Sequence, residues 1–263
     1  MPRSPKITTS RLGVQRRLVA DIVQLAGEVP SFPVERVIDL SAVDRCRGDG
    51  KLRIGWAAIF TKAYALVARE MPVLRTWYVP GFWPRQAMSP FSVASLSINR
   101  SDDSGDTLYW ARLRAPEDAT LASLQAEIRR HVNSPVAEVF RRQLQLASLP
   151  GWLRRRVLRW NLRSTSAKRP LRLGTFSVSS LSGEGAFNRM HPSPLTTSLA
   201  YGPLDAAGRS TVTLLADHRL IDGVPAARAL TRLEAVLQGP ILAELQAQRG
   251  GWRSLLGRML PAA

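Results

Sequence analysis

The run Asp217-His218-Arg219-Leu220-Ile221-Asp222-Gly223 places a histidine, two carboxylates and a glycine within seven residues. Histidine changes charge near neutral pH and can take a proton from a hydroxyl or thiol. A carboxylate four residues on can orient nearby groups, and the glycine after it permits a tight turn. The run follows the strand-like segment TVTLLA and precedes a helical pattern, so His218 is expected at a strand end, where side chains project into clefts. H-x-x-x-D-G fixes only three positions, and that pattern equally suits a histidine that is only a structural hydrogen-bonder. The strand-like GTFSVSSL offers hydroxyls at Ser177, Ser179 and Ser180. His131, on a basic helix, and His191, in the loop RMHPSP, are expected to face solvent. Cys46 is the single cysteine, and the three histidines lack cysteines at ligand spacing, so no metal site is expected. No G-x-x-x-x-G-K-[ST] phosphate loop is present.

The elements that must carry these groups are legible from periodicity. Leu18, Val19, Ile22, Val23 and Leu25 recur at helical spacing, and Pro30 stops that helix. FPVERVIDL alternates like a strand, a short helical start is expected at Ser41, and residues 54–71 read as a buried helix. Residues 73–91 read as an irregular aromatic segment. FSVASLSINR and TLYWARLR read as two strands joined by the turn SDDSGD. Helical signal runs over 117–132 and on through 149. GTFSVSSL, PLTTSLAYG and STVTLLADHRL read as three more strands. A helix from Val224 to Leu237 is expected to stop at Gly239-Pro240. The interspersed strands and helices predict one α/β (α+β) two-layer sandwich, a mixed sheet covered by helices. One domain is expected over 1–240, with a basic arm at 1–10 and a basic amphipathic tail at 241–263.

Charge is the compositional anomaly. The 263 residues hold 37 Lys+Arg against 20 Asp+Glu, a net charge of +17. Only Lys6, Lys51, Lys62 and Lys168 are lysines, so arginine dominates, as a high-GC genome alone would produce. Such an excess attracts polyanions. Residues 141–172 hold ten basic residues and no acid. Within them Trp152, Leu153, Val157 and Trp160 fall near one helical face, with Arg154, Arg155 and Arg159 around it. That pattern predicts a basic amphipathic helix that meets an anionic partner, either an acidic carrier protein or an anionic membrane surface. No uncharged apolar run approaches the ~18–20 residues of a membrane span, and the N-terminus lacks a secretory signal pattern. A cytoplasmic location is expected, with peripheral contact at the inner membrane face. No recognised nucleic-acid reading module appears, so nucleic acid is not an expected partner.

DHRLIDGVPAARALTRLEAVLQGP resembles the C-terminal signature of the chloramphenicol acetyltransferase-like superfamily. More closely, it is similar to the catalytic domain of 2-oxoacid dehydrogenase (dihydrolipoamide) acyltransferases. LGTFSVSSL resembles that family's G-T-F-T-I-S-N-L segment. VPSFPVERVIDLSAV resembles its first strand, and residues 54–79 the helix that follows. The resemblance spans about residues 10–240, in matching order. It implies a general-base role for His218 and an oxyanion-stabilising hydroxyl on Ser179. It gives Asp222 a structural role, pairing with Arg16 or Arg17 of VQRRLVADIV, and Gly223 the turn into the helix. It also implies a homotrimer, or a multiple of one, with sites between subunits. The chain departs from the pattern at Ser31, Ser180 and Ser182, in its arginine-rich 134–172, and in its length, which is close to that of one catalytic domain.

These readings converge on a stand-alone acyltransferase without a tightly bound cofactor. A coenzyme A thioester or an acyl carrier protein would be the acyl donor, and a hydroxyl or thiol the acceptor. A lipoyl-dependent core served by lipoyl domains in trans is the alternative within the family. A non-catalytic basic scaffold is the alternative outside it, although a scaffold has no need of DHRLIDG, the Ser179 strand and the arginine arm together.

Overall fold

The computed structural model describes residues 7–48, 53–102 and 105–249. Helix α1 (Val14–Ala26) leads into β1 (Ser31–Asp39), the short α2 (Ser41–Cys46) and the buried α3 (Trp56–Glu70). A hairpin, β2 (Thr76–Val79) and β3 (Arg85–Met88), occupies the segment expected to be irregular, and carries Phe82 and Trp83 exposed at its tip. The long pair β4 (Val93–Asp102) and β5 (Gly105–Arg114) is followed by α4 (Leu121–Asn133). Next come α5 (Val136–Val139), α6 (Arg141–Ser148), α7 (Gly151–Arg163) and α8 (Lys168–Leu173). The chain returns to the sheet with β6 (Phe176–Ser179), β7 (Thr197–Tyr201) and β8 (Arg209–Asp217), and α9 (Gly223–Val236) closes the fold.

Six strands form one mixed sheet in the order β1-β8-β7-β6-β4-β5. β4, β6 and β7 run parallel, and the other pairings are antiparallel. Alternation sorts the side chains between its faces. Ile38, Leu96, Ile98, Phe176, Val178, Leu199, Val212 and Leu214 turn inward and pack on α3, α4 and α9 as the main core. The opposite face carries hydroxyls and charges, among them Ser95, Arg112, Ser177, Ser198 and Thr213. A smaller helical layer of α1, α6 and α7 covers its β5 end through Leu18, Leu25, Ala147 and Leu158.

The segment leading into β6 depends on Gly174. Its φ is +97°, and a Cβ there would lie 3.0 Å from Ser95 Cβ and 3.2 Å from the Val93 carbonyl. Glycine alone lets α8 end and the strand begin this close to β4. Thr175 then ties the two strands: its amide donates to the Val93 carbonyl at 2.7 Å, and its hydroxyl accepts from the Val93 amide at 3.0 Å.

The helix does not stop at Gly239-Pro240. A π-helical turn, Leu237–Ile241, accommodates Pro240, which has no N–H to give to a regular turn. Helix continues over 242–249, with Ile241 and Leu245 in the main core. The arm at residues 1–6 and the tail beyond 249 lie outside the described residues. Among the described residues no helix is long and apolar enough to cross a membrane.

Candidate active site

His218 stands at the C-terminal end of β8, where the chain turns tightly. The amides of Leu220 and Ile221 both donate to the Asp217 carbonyl at 3.0 Å. The His218 amide donates to the Pro30 carbonyl at 3.0 Å, which pins the turn to the start of β1. Its ring tilts against Phe32, with centroids 4.6 Å apart, and the side chain is 57% exposed. Asp222 Oδ1 lies 3.3 Å from Nδ1. That carboxylate favours the ring proton on Nδ1, leaving the Nε2 lone pair free to accept a proton.

Asp217 is a site residue that the sequence reading left without a role. Its carboxylate is buried and holds Arg219 through three bonds: to the amide at 3.0 Å, Nε at 2.9 Å and Nη2 at 2.7 Å. The Arg219 guanidinium stacks over Tyr78 of β2, 4.4 Å from the ring centroid. The D-x-R spacing was the available signal. This clamp, with Pro30 and Phe32, fixes the backbone that presents His218.

The expected Asp222–arginine pair does not form within the chain among the described residues. Arg16 and Arg17 are exposed on α1, which packs on α6, α7 and β5, and neither is in an ion pair among the described residues. Asp222 faces His218 instead, because the turn brings residues four apart together. Gly223 begins α9 without a positive φ, and nothing in this chain lies within 4 Å of where its Cβ would be. The tight turn is built from non-glycine residues, 217–221.

Ser179 ends β6 on the outer face of the sheet. Of the three serines in FSVSS, it is the one whose hydroxyl makes no hydrogen bond among the described residues. Ser177 Oγ bonds Ser198 at 2.6 Å and Ser193 at 3.0 Å. Ser180 Oγ donates to the Tyr201 carbonyl at 2.8 Å. Register then separates Ser179 from His218. Ser179 pairs with Ala200, Ala200 pairs with Thr213, and His218 follows Asp217 at the far end of β8. At ~3.3 Å per residue and ~4.8 Å per strand, the two lie roughly 16 Å apart along the strands and about 10 Å across them. One chain does not bring them together.

Of the three arginines expected to meet an outside anion, only Arg154 is turned inward; the side chains of Arg155 and Arg159 stay 42% and 43% exposed. Arg154 is 3% exposed, and its Nε lies 2.6 Å from Asp21 of α1. Arg155 reaches the same carboxylate at 3.5 Å, and Arg159 reaches Glu28 at 3.2 Å. The buried face of α7 is Arg154, Leu158 and Asn161, which leaves Trp152 and Trp160 exposed. A distant acid, supplied by α1, takes Arg154 out of the surface, while Trp152, Trp160, Arg155 and Arg159 remain on it.

The other two histidines are also enclosed rather than solvent-facing. His131 is buried on α4, its Nδ1 2.9 Å from the Glu127 carbonyl. His191 folds over the hydroxyl-bearing face, with Nε2 2.5 Å from Ser198 Oγ and a buried, unpartnered Nδ1. Desolvation lowers its pKa to about 4.

This architecture is the α/β fold seen in solved dihydrolipoamide acetyltransferase structures. A probable dihydrolipoamide acetyltransferase from Listeria monocytogenes superposes with a TM-score of 0.64 at 19% identity, over 88% of this chain and 94% of that one. The dihydrolipoamide acetyltransferase of Azotobacter vinelandii gives 0.64 at 18% identity, over 93% and 100%. That structure addressed the catalytic roles of a serine, a histidine and an asparagine of that enzyme. The cubic core of a pyruvate dehydrogenase multienzyme complex gives 0.61 at 18% identity, over 93% and 100%. No protein-family model matches the sequence, and no curated protein matches it. At these identities the likeness is one of fold.

Proposed function

We propose that the protein is an acyltransferase that moves an acyl group from a thioester, acyl-CoA or acyl carrier protein, to a hydroxyl or thiol. The observation that carries this reading is His218, exposed at the end of β8 in a fold shared with acetyltransferase cores, with Asp222 beside Nδ1. His218 Nε2 takes the proton of the acceptor O–H or S–H as the acceptor attacks the thioester carbonyl. The Ser179 hydroxyl of a neighbouring copy donates to the developing oxyanion. Collapse of the tetrahedral intermediate breaks the C–S bond, and the leaving thiolate recovers the proton from the imidazolium.

The opposed positions of His218 and Ser179 support a site shared between copies. A trimer, alone or repeated, supplies such contacts, and all cubic assemblies, such as the core of the pyruvate dehydrogenase relative, contain three-fold axes. A second reading makes the acceptor a lipoyl arm delivered in trans; the names of the structural neighbours favour it.

The test is co-assembly of His218→Ala with Ser179→Ala chains, read by release of free coenzyme A from acyl-CoAs of several lengths. Each variant alone should lose activity, by ~10²–10⁴-fold for the base and ~10²–10³-fold for the oxyanion donor. A random equal mixture should regain about a quarter of wild-type activity, because each site draws its two halves independently. Full activity in His218→Ala would overturn the mechanism. Inactive mixtures of well-assembled chains would overturn the shared site.

A further inference from the structure

A cleft of about 840 Å³ opens on the outer face of the sheet, between β5, α1 and the α6–α8 segment. It is far from His218, and no step of the proposed acyl transfer uses it. Its walls are mainly apolar, with Leu18, Ile22, Phe140, Leu146, Val157 and Leu158 among them. Its floor is β5, which presents Trp110 and Arg112. A smaller pocket of about 50 Å³, lined by Ser95, Ser97 and Ser177, joins it at Arg112.

Arg112 is anomalous. Its side chain is partly buried, and no carboxylate among the described residues pairs with it. Nη1 donates to Ser95 Oγ at 2.9 Å and to the Trp110 carbonyl at 3.1 Å, and Nε donates to the Arg172 carbonyl at 3.2 Å. Nη2 makes no hydrogen bond among the described residues. Desolvation brings the guanidinium down to about 10, so it is still charged at neutral pH. A partly buried charge without a counter-charge favours an anion that completes it. Arg141, Arg142 and Arg172 add positive charge to the lining, against a single acid, Glu138.

We propose that this cleft binds a long-chain monocarboxylate, its carboxylate on Arg112 and its chain along the apolar walls. The volume lies within the range of ligand pockets and far exceeds what a small inorganic anion fills. The unpaired Arg112 matches one carboxylate, and the apolar walls match a hydrocarbon tail. The site is independent of the acyl-transfer reading.

The test is equilibrium titration of the full chain with dodecanoate below its micelle concentration, by calorimetry and by fluorescence of Trp110 and Trp160, which line the cleft. Dodecanol supplies the tail without the charge, acetate the charge without the tail, and inorganic phosphate a compact anion. Dodecanoate should bind at one equivalent, about tenfold or more tighter than dodecanol, as a charge-assisted contact predicts. Acetate and phosphate should not bind in that range. Arg112→Met should bring dodecanoate down to the affinity of dodecanol and leave dodecanol unchanged. Should that variant not fold, Leu146→Trp, which fills the cleft from its wall, should abolish binding of both. Equal affinity for dodecanoate and dodecanol, several equivalents lost together at high salt, or binding unchanged in Leu146→Trp would overturn the proposal.

Discussion

Removing one carboxylate should unfasten the whole outer helical layer. Asp21 and Arg154 have side chains only 8% and 4% exposed, and meet at 2.6 Å. Breaking a buried pair from one side leaves an uncompensated charge and costs about 3–5 kcal/mol. Arg154 would keep its bonds to the Ala147 and Leu149 carbonyls, both at 3.1 Å, so Asp21→Ala belongs near the lower end, about 3 kcal/mol. For a chain of this size that lowers the melting temperature by about 6–12 °C. Replacing both partners, Asp21→Leu with Arg154→Met, should return most of it, because apolar residues of similar volume substitute well for buried ion pairs. Thermal unfolding followed by circular dichroism, with urea titration as a second probe, measures both. If Asp21→Ala melts within about 2 °C of wild type, the pair does not dock α1 on α7 as argued.

Two further outcomes follow from the site. Asp217→Asn should loosen the clamp on Arg219 and lower kcat by about 10- to 100-fold with little change in KM, the effect of a misplaced base; kinetics on the same acyl-CoA panel, with the assembly state checked, would contradict this if kcat were unchanged. His191 is depressed to about 4 in the fold against an ordinary value near 6.5, so its burial as a neutral ring contributes fully above pH 6.5 and is lost as pH falls toward 4. Stability should drop by up to about 3 kcal/mol across that window, and His191→Gln should flatten the urea-midpoint profile there; an equally steep profile in the variant would exclude His191 as the cause.

Period and punctuation made most of the fold legible. The alternation of FPVERVIDL and STVTLLAD, and the wide apolar face of residues 54–71, became β1, β8 and α3. DHRLIDG read as strand end, turn and helix start, and it is. What periodicity missed involves partners far away in sequence. Asp21 lies 133 residues from Arg154, so nothing local in GWLRRRVLRW says which arginine turns inward. The clue was Asp21 itself, an acid on the apolar stripe of Leu18, Ile22 and Leu25. His191 looked solvated because its loop is polar, yet the hydroxyls of Ser198 and Ser177 lie beneath it. Asp222 was expected to meet a distant arginine, whereas within the chain it faces His218, four residues away.

With the shared site proposed above, His218 and Ser179 at opposite ends of one sheet would make catalysis a matter of head count. Where a neighbour completes each site, an open dimer holds one working site for two chains, and a closed ring holds one per chain. Activity then depends on closure rather than on the amount of protein. Dilution would silence the protein before any chain unfolds, and specific activity would rise with concentration until rings close. A copy defective in one half would spoil only the site that needs that half, and would still lend its intact half to the other neighbour. In an equal mixture with sound chains, chains lacking one half would therefore leave half of the sites working, and chains lacking both halves would leave about a quarter.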